Sequence, residues 1–172
     1  MNFVAREMEL NLLDDLHRRP SAQFLIVYGR RRIGKTRLLN EWAERLSGRY
    51  LYWGATQTSR VNQLRRFSQA LWQFMNPDAA IDPAFSYASW DAAFAEVKRL
   101  AQEERLVLIL DEFTYVMQAD PEVLRTRWLK YMCNDECMPF GLSSSTQAGC
   151  LSYGIAHILT LGCTSDIKPF SY

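Results

Sequence analysis

Hydrophobic residues along this chain occur in two patterns, short continuous runs and longer stretches with helical spacing. The short runs are typical of buried strands, which read as unbroken apolar segments when helices cover both faces of a sheet. They predict strands at Phe24–Tyr28 (FLIVY), Arg49–Trp53 (RYLYW) and Leu106–Leu110 (LVLIL). A later stretch, IAHILTL, is a weaker strand candidate because the sequence around it has no clear period.

Apolar residues three or four positions apart predict helices between these strands. We expect Ser89 to cap one of them, Gly48 to end another, and Asp120 with Pro121 to start the last, as N-cap and first helical residue. The predicted helices cover Arg6–Leu16, Lys35–Leu46, Val61–Met75, Trp90–Leu100 and a segment from Asp120 to Tyr131.

Strands that alternate with helices indicate an α/β fold with a parallel sheet flanked by helices. Such sheets bind ligands at the carboxyl ends of their strands. The length of 172 residues favours one domain. A net charge of +1 argues against a protein that is strongly basic throughout, although a local nucleic-acid patch stays open.

The amino terminus and the cysteines bear on the cellular location and on metal binding. The start, MNFVAREMEL, lacks the apolar core of a signal peptide, and LVLIL is too short to span a bilayer. We therefore expect a cytoplasmic protein without a membrane partner. The spacing of Cys133, Cys137, Cys150 and Cys163 fits neither a zinc site nor a redox motif, so we expect no metal there.

The segment from Gly29 to Thr36, GRRRIGKT, matches the phosphate-binding pattern G-x-x-x-x-G-K-[ST] between a predicted strand and a predicted helix. In this mechanism backbone N–H groups surround a phosphate, and Gly29 and Gly34 provide the required dihedral angles and close approach. Lys35 reaches the β- and γ-phosphates, the Thr36 hydroxyl binds Mg²⁺, and the helix directs its positive end at the anion.

Three arginines, Arg30, Arg31 and Arg32, lie inside this loop together with Ile33. These four residues supply backbone to the phosphate site, so their side chains are free to point away. Two interpretations remain open. The arginines raise the local positive potential for an anion, or they are solvated and pair with nearby acids.

A second candidate motif follows the LVLIL strand, where Asp111 and Glu112 lie at the expected carboxyl edge of the sheet. Asp111 is placed to hold Mg²⁺, and Glu112 to orient or deprotonate a water that attacks the γ-phosphate. A nucleotide kinase would not need the glutamate, so the pair favours hydrolysis over transfer. Because Thr36 and Asp111 must share one ion, Phe24–Tyr28 and Leu106–Leu110 should be adjacent or near-adjacent parallel strands.

Three segments together, FVAREMEL, VYGRRRIGKT and LVLILDEFTYV, resemble the prokaryotic, archaeal-type P-loop ATPase family related to the AAA+ and STAND groups. The resemblance covers roughly residues 2–131 and implies a P-loop NTPase fold that uses ATP and Mg²⁺. It also implies that Phe3 and Val4 lie near the adenine. This chain has Ala5 where the family usually has Gly.

The end of the chain departs from the family pattern. Family members continue into an apolar strand that ends in a sensor Ser or Thr, and they then add an arginine-bearing segment and a winged-helix region. Here the matching stretch is MPFGLSSSTQAG, in which only Ser143–Thr146 offers a sensor-like hydroxyl. We expect residues 1–139 to form a partial ATPase domain and 140–172 an atypical tail, disordered or frame-shifted, so that the chain is a truncated or frame-shifted copy of the family's domain. The alternative is a divergent but functional tail.

Three functions stay open on this sequence. The chain is an ATPase, or a nucleotide-binding module without turnover, or a DNA- or partner-binding protein that uses ATP as a switch. An oligomer is compatible with each of them.

Overall fold

A computed structural model describes residues 6–19, 23–29, 32–46, 49–125 and 154–161. Its centre is a four-stranded sheet, and the three strongly predicted strands are confirmed with one or two extra residues each. The strands are β1 (Gln23–Gly29), β2 (Arg49–Gly54), β3 (Leu106–Asp111) and β4 (Gly154–Leu161). The weak IAHILTL candidate lies within β4.

Four of the five predicted helices are confirmed, with ends that differ by a few residues, and one helix was not predicted. The helices are α1 (Glu7–Arg18), α2 (Lys35–Arg45), α3 (Arg60–Met75), α4 (Trp90–Glu103), the unpredicted α5 (Thr114–Ala119) and a 3₁₀ helix (Pro121–Arg125). Ser89 caps α4 as expected, because its side chain accepts a hydrogen bond from the Ala92 N–H. Ser59 caps α3 through the Asn62 N–H in the same way.

Two predicted helix ends differ from the structure or lie outside its described part. Helix α2 ends at Arg45, where the Leu46 N–H bonds to the Ala43 carbonyl, and Gly48 is outside the described residues. The helix predicted from Asp120 begins as a 3₁₀ turn, and its continuation after Arg125 is also outside them. The Asp120 carboxylate forms an ion pair with Arg60.

The sheet is mixed, which corrects the prediction of an all-parallel sheet. The strand order is β1-β4-β3-β2, with β2 and β3 parallel and β4 antiparallel to both of its neighbours. An inserted strand completes the backbone hydrogen bonds of its neighbours in either direction, and antiparallel pairing is slightly more stable per residue. Strands β1 and β3 still run in the same direction, one strand apart, as predicted.

Alternate residues of β3 pack into two cores, one on each face of the sheet. Val107 and Ile109 lie in a cluster with residues of α1 and α2, including the fully buried Trp42. Residues Leu106, Leu108 and Leu110 belong to a cluster formed with α3 and α4. Asp111 continues the Val107 and Ile109 side, because side chains two apart share a face. The carboxylate therefore lies on the α2 side, at the edge where β1 ends.

Among the described residues, none of the helices combines the length and apolarity needed to cross a bilayer.

Candidate functional site

In the described part of the turn from β1 into α2, residues 32–34, two residues have left-handed backbone conformations. Arg32 has φ of 64° and Gly34 has φ of 83°. A Cβ on Gly34 would meet no atom within 4 Å, so the glycine serves the backbone conformation rather than a crowded space. Lys35 and Thr36 follow at once as the first residues of α2. Gly29 is the last residue of β1, and Arg30 and Arg31 lie outside the described residues.

The loop is tied to the start of the chain by Arg6, whose guanidinium donates a hydrogen bond to the Ile33 carbonyl. Sequence reasoning did not assign Arg6 to the site. The signal was its place inside FVAREMEL, one of the three segments that resemble the family. Phe3 and Val4, from the same segment, lie outside the described residues.

The Asp111 carboxylate accepts three hydrogen bonds from the part of the chain that the structure describes. The Thr36 hydroxyl donates to Oδ2 at 2.6 Å, and the Tyr52 hydroxyl donates to the same atom at 2.7 Å. The Glu112 N–H donates to Oδ1 at 3.0 Å. Because Asp111 is only 5% exposed, these donors stabilise a carboxylate that water scarcely reaches. The structure thus brings Thr36 and Asp111 together, as sharing one ion requires.

Tyr52 is the main addition to this group, and its hydroxyl is a donor throughout the ordinary pH range. Burial raises its pKa, and the hydrogen bond to Asp111 and the charges of Asp111 and Glu112 raise it further. Nothing in the strand pattern of RYLYW distinguishes Tyr52 from Tyr50, so this contact could not be predicted from the sequence.

Glu112 follows β3 in a strained backbone conformation, with φ of 52°. Non-glycine residues in this region are uncommon and cluster at functional sites. The residue lines the same cleft as Lys35 and Thr36, and helix α5 begins two residues later. The turn therefore directs the chain away from the sheet while the glutamate stays at its edge.

A cleft of about 780 Å³ lies over these residues. Arg32 and the buried Lys35 contribute cations to its wall, and Thr36 and Glu112 contribute oxygens. Helical spacing from Thr36 points to Asn40 and Glu44 as further wall residues. The sequence analysis did not predict these two or the other three, and the five are Arg37, Asn40, Glu41, Glu44 and Tyr115.

The donor chemistry suits a small hard cation. A hydroxyl and a carboxylate oxygen are ligands that Mg²⁺ prefers, and Mg²⁺ usually takes its other ligands from water and substrate phosphates. Among the described residues, no group of three or more His, Cys, Asp or Glu side chains forms an all-protein metal site. The four cysteines and the sensor candidates Ser143–Thr146 lie outside the described residues.

Comparison with known proteins adds the family. An uncharacterized protein from Methanocaldococcus jannaschii is 29% identical over 124 residues, which is 71% of this chain and 24% of the relative. The chain thus spans about a quarter of that relative's length. No solved structure matches the chain. The model of an ATPase domain found predominantly in Archaea matches residues 3–139. The chain belongs to this family of mainly archaeal ATPase domains.

Proposed function

We propose that this chain is a P-loop NTPase of the AAA+/STAND-related class that binds Mg²⁺-ATP in the cleft at the carboxyl edge of its sheet. Family membership supports nucleotide use. The single observation that carries the finer proposal is the 2.6 Å contact between the Thr36 hydroxyl and Asp111 Oδ2. This contact joins the two segments that a shared magnesium ion requires, beside Lys35.

Each residue has a distinct role in this proposal. Backbone N–H groups of residues 29–36 and the Lys35 ammonium bind the phosphates, and the positive end of α2 adds to their attraction. The Thr36 hydroxyl donates a hydrogen bond to Asp111, so the lone pairs of the Thr36 oxygen are available to a metal. Bound Mg²⁺ would neutralise charge on the β- and γ-phosphates. Glu112 orients or deprotonates the attacking water.

A binding module with little turnover is the second candidate, and the composition of the tail favours it. The family resemblance implies an apolar strand that ends in a sensor Ser or Thr, and an arginine-bearing segment after it. Residues 140–172 contain one lysine and no arginine. The sensor candidates Ser143–Thr146 precede β4 in the sequence and do not end it. A DNA or protein partner, an oligomer and a cytoplasmic location stay predictions.

Titration calorimetry with ATP and excess Mg²⁺ tests binding. We expect Lys35→Ala to weaken the affinity at least about tenfold, because hydrogen bonds to charged groups contribute about 1.5–3 kcal/mol. The control is Lys98→Ala, which removes the same charge from α4 on the opposite face of the sheet. Equal ATP affinity for Lys35→Ala and the control would show that the nucleotide does not bind in this loop.

A further inference from the structure

The Tyr52 hydroxyl donates a hydrogen bond of 2.7 Å to Asp111 Oδ2. The Thr36 hydroxyl donates to the same oxygen at 2.6 Å. The phosphate-loop pattern accounts for Thr36. Nothing in that pattern, or in the Asp111 and Glu112 pair, calls for a phenol from β2.

Strand pairing explains how Tyr52 reaches the carboxylate. In the parallel β2–β3 ladder Tyr52 lies opposite Ile109, and Gly54 lies opposite Asp111. Tyr52 and Gly54 share a face, because they are two residues apart. A Cβ on Gly54 would lie 3.8 Å from the Tyr52 hydroxyl oxygen. The phenol therefore extends along the strand beside Gly54, where no side chain intervenes between it and Asp111.

The three donors limit the orientations in which the Asp111 carboxylate can bind a ligand. A carboxylate offers about four acceptor sites. The Glu112 N–H occupies one site on Oδ1, and the two hydroxyls occupy Oδ2. Rotation of the carboxylate would break all three bonds, so its plane is held and acceptor capacity remains for a metal ion or a metal-bound water. If the Thr36 hydroxyl reorients toward a cation, Tyr52 is the side chain that still holds Oδ2.

We propose that Tyr52 is a positioning residue for the metal site, which holds the Asp111 carboxylate in the orientation that receives Mg²⁺ with the nucleotide. This inference rests on the proposed Mg²⁺-ATP binding. Tyr52 contacts neither nucleotide nor water in this role and acts through Asp111. Removing such outer partners of metal ligands typically lowers metal affinity about 10–100-fold.

The test is the Mg²⁺ dependence of nucleotide binding in Tyr52→Phe, which removes one oxygen and keeps the ring. Affinity for a fluorescent ATP analogue is measured across a Mg²⁺ titration and again in EDTA. We expect the half-saturating Mg²⁺ concentration to rise about tenfold or more, with an unchanged affinity in EDTA.

The matched control is Tyr50→Phe. Tyr50 lies two residues earlier on the same strand and packs against the same α1–α2 cluster, but it pairs with Val107, further from Asp111. We expect its Mg²⁺ midpoint to equal that of the wild type. Urea unfolding of both variants verifies that each is folded.

The outcomes separate the two proposals. An unchanged or lowered Mg²⁺ midpoint in Tyr52→Phe, with a wild type that binds nucleotide in a Mg²⁺-dependent way, overturns the role of Tyr52 alone. An equal loss of affinity in EDTA and in Mg²⁺ assigns Tyr52 to the general structure of the site and also overturns it. A wild type whose nucleotide binding does not respond to Mg²⁺ overturns both proposals.

Discussion

The Thr36 hydroxyl oxygen lies 2.6 Å from Asp111 Oδ2, although 75 residues separate the two along the chain. Thr36 is the second residue of α2, and Asp111 is the last residue of β3. Their contact places the start of the helix after β1 at the end of a strand that runs in the same direction. It is the geometric basis of the proposed magnesium site.

Two substitutions of Thr36 distinguish the contribution of its hydroxyl to Mg²⁺-dependent binding from the contribution of its shape. Thr36→Val keeps the branched outline and removes the oxygen, so we expect Mg²⁺-dependent ATP affinity to fall at least about tenfold. Thr36→Ser keeps the oxygen and should bind close to the wild type. Calorimetry with and without Mg²⁺ is the measurement. A Thr36→Val protein with the full Mg²⁺ response would contradict a metal-binding role for this hydroxyl.

An ion pair connects α3 with the end of α5. Arg60 Nε lies 3.0 Å from Asp120 Oδ2, and the two side chains are 69% and 6% exposed. Removing Arg60 leaves a buried carboxylate without this partner, while solvent screening of the exposed arginine limits the loss. We expect Arg60→Met to lower the free energy of unfolding by about 1 kcal/mol in urea denaturation.

The matched control for this pair is Arg45→Met on α2. Its ion pair with Glu41 spans 2.8 Å between side chains that are 54% and 35% exposed. Pairs of this kind contribute about 0.5 kcal/mol or less on a helix surface. Equal losses from both variants would show that burial of Asp120 adds nothing to the strength of its pair.

We expect His17 to make the free energy of unfolding depend on pH. Burial lowers its pKa from 6.5, the charge of Arg105 lowers it further, and Asp14 opposes the change. Its Nδ1 is buried without a hydrogen-bond partner among the described residues, and its ring packs edge-on against Trp42. Below about pH 6.5 the unfolded chain binds a proton that folded His17 resists, so this residue's contribution to stability is complete above that pH and falls below it.

Urea unfolding between about pH 7.5 and 5.5 measures this effect. We expect the wild type to lose more free energy of unfolding over this interval than His17→Gln, which cannot titrate. Parallel pH profiles for the two proteins would show that His17 is protonated equally well in the folded and unfolded states.

The sequence predicted those features that depend on local pattern. The apolar run of β3 identified a strand that is buried throughout, and the helical spacing of α2 and α4 identified residues that pack into the cores on its two faces. The GRRRIGKT and Asp111–Glu112 motifs identified two segments that meet in the structure. Ser89 was found because a hydroxyl before a helix satisfies a free N–H.

Other features depend on relationships that no local pattern encodes. The direction of β4 is not encoded in its own apolar pattern, so IAHILTL indicated a strand without indicating an antiparallel one. The contact between Tyr52 and Asp111 depends on the register of β2 against β3. The contact between Arg6 and the Ile33 carbonyl depends on how the start of α1 lies against the loop. Helix α5 has only six residues, too few to show a helical period.

Slow hydrolysis is the last expectation. The stretch before the sensor candidates Ser143–Thr146 contains Pro139 and Gly141, which suit a strand poorly. Residues 140–172 contain no arginine that could act on the γ-phosphate. Losing a transition-state arginine costs about 10³–10⁵ in turnover in related systems, and among the described residues Arg32 and Arg37 are the arginines that line the cleft.

Phosphate release by purified, monodisperse protein measures this turnover beside a Glu112→Gln control. We expect a rate far below about 1 per second with ATP binding retained. Arg32→Ala should lower any residual rate if its guanidinium acts on the γ-phosphate, whereas a role in general attraction would weaken ATP binding without changing the rate at saturation. A wild-type rate of about 1 per second that Glu112→Gln abolishes would show that this chain completes its catalytic site without an arginine from residues 140–172.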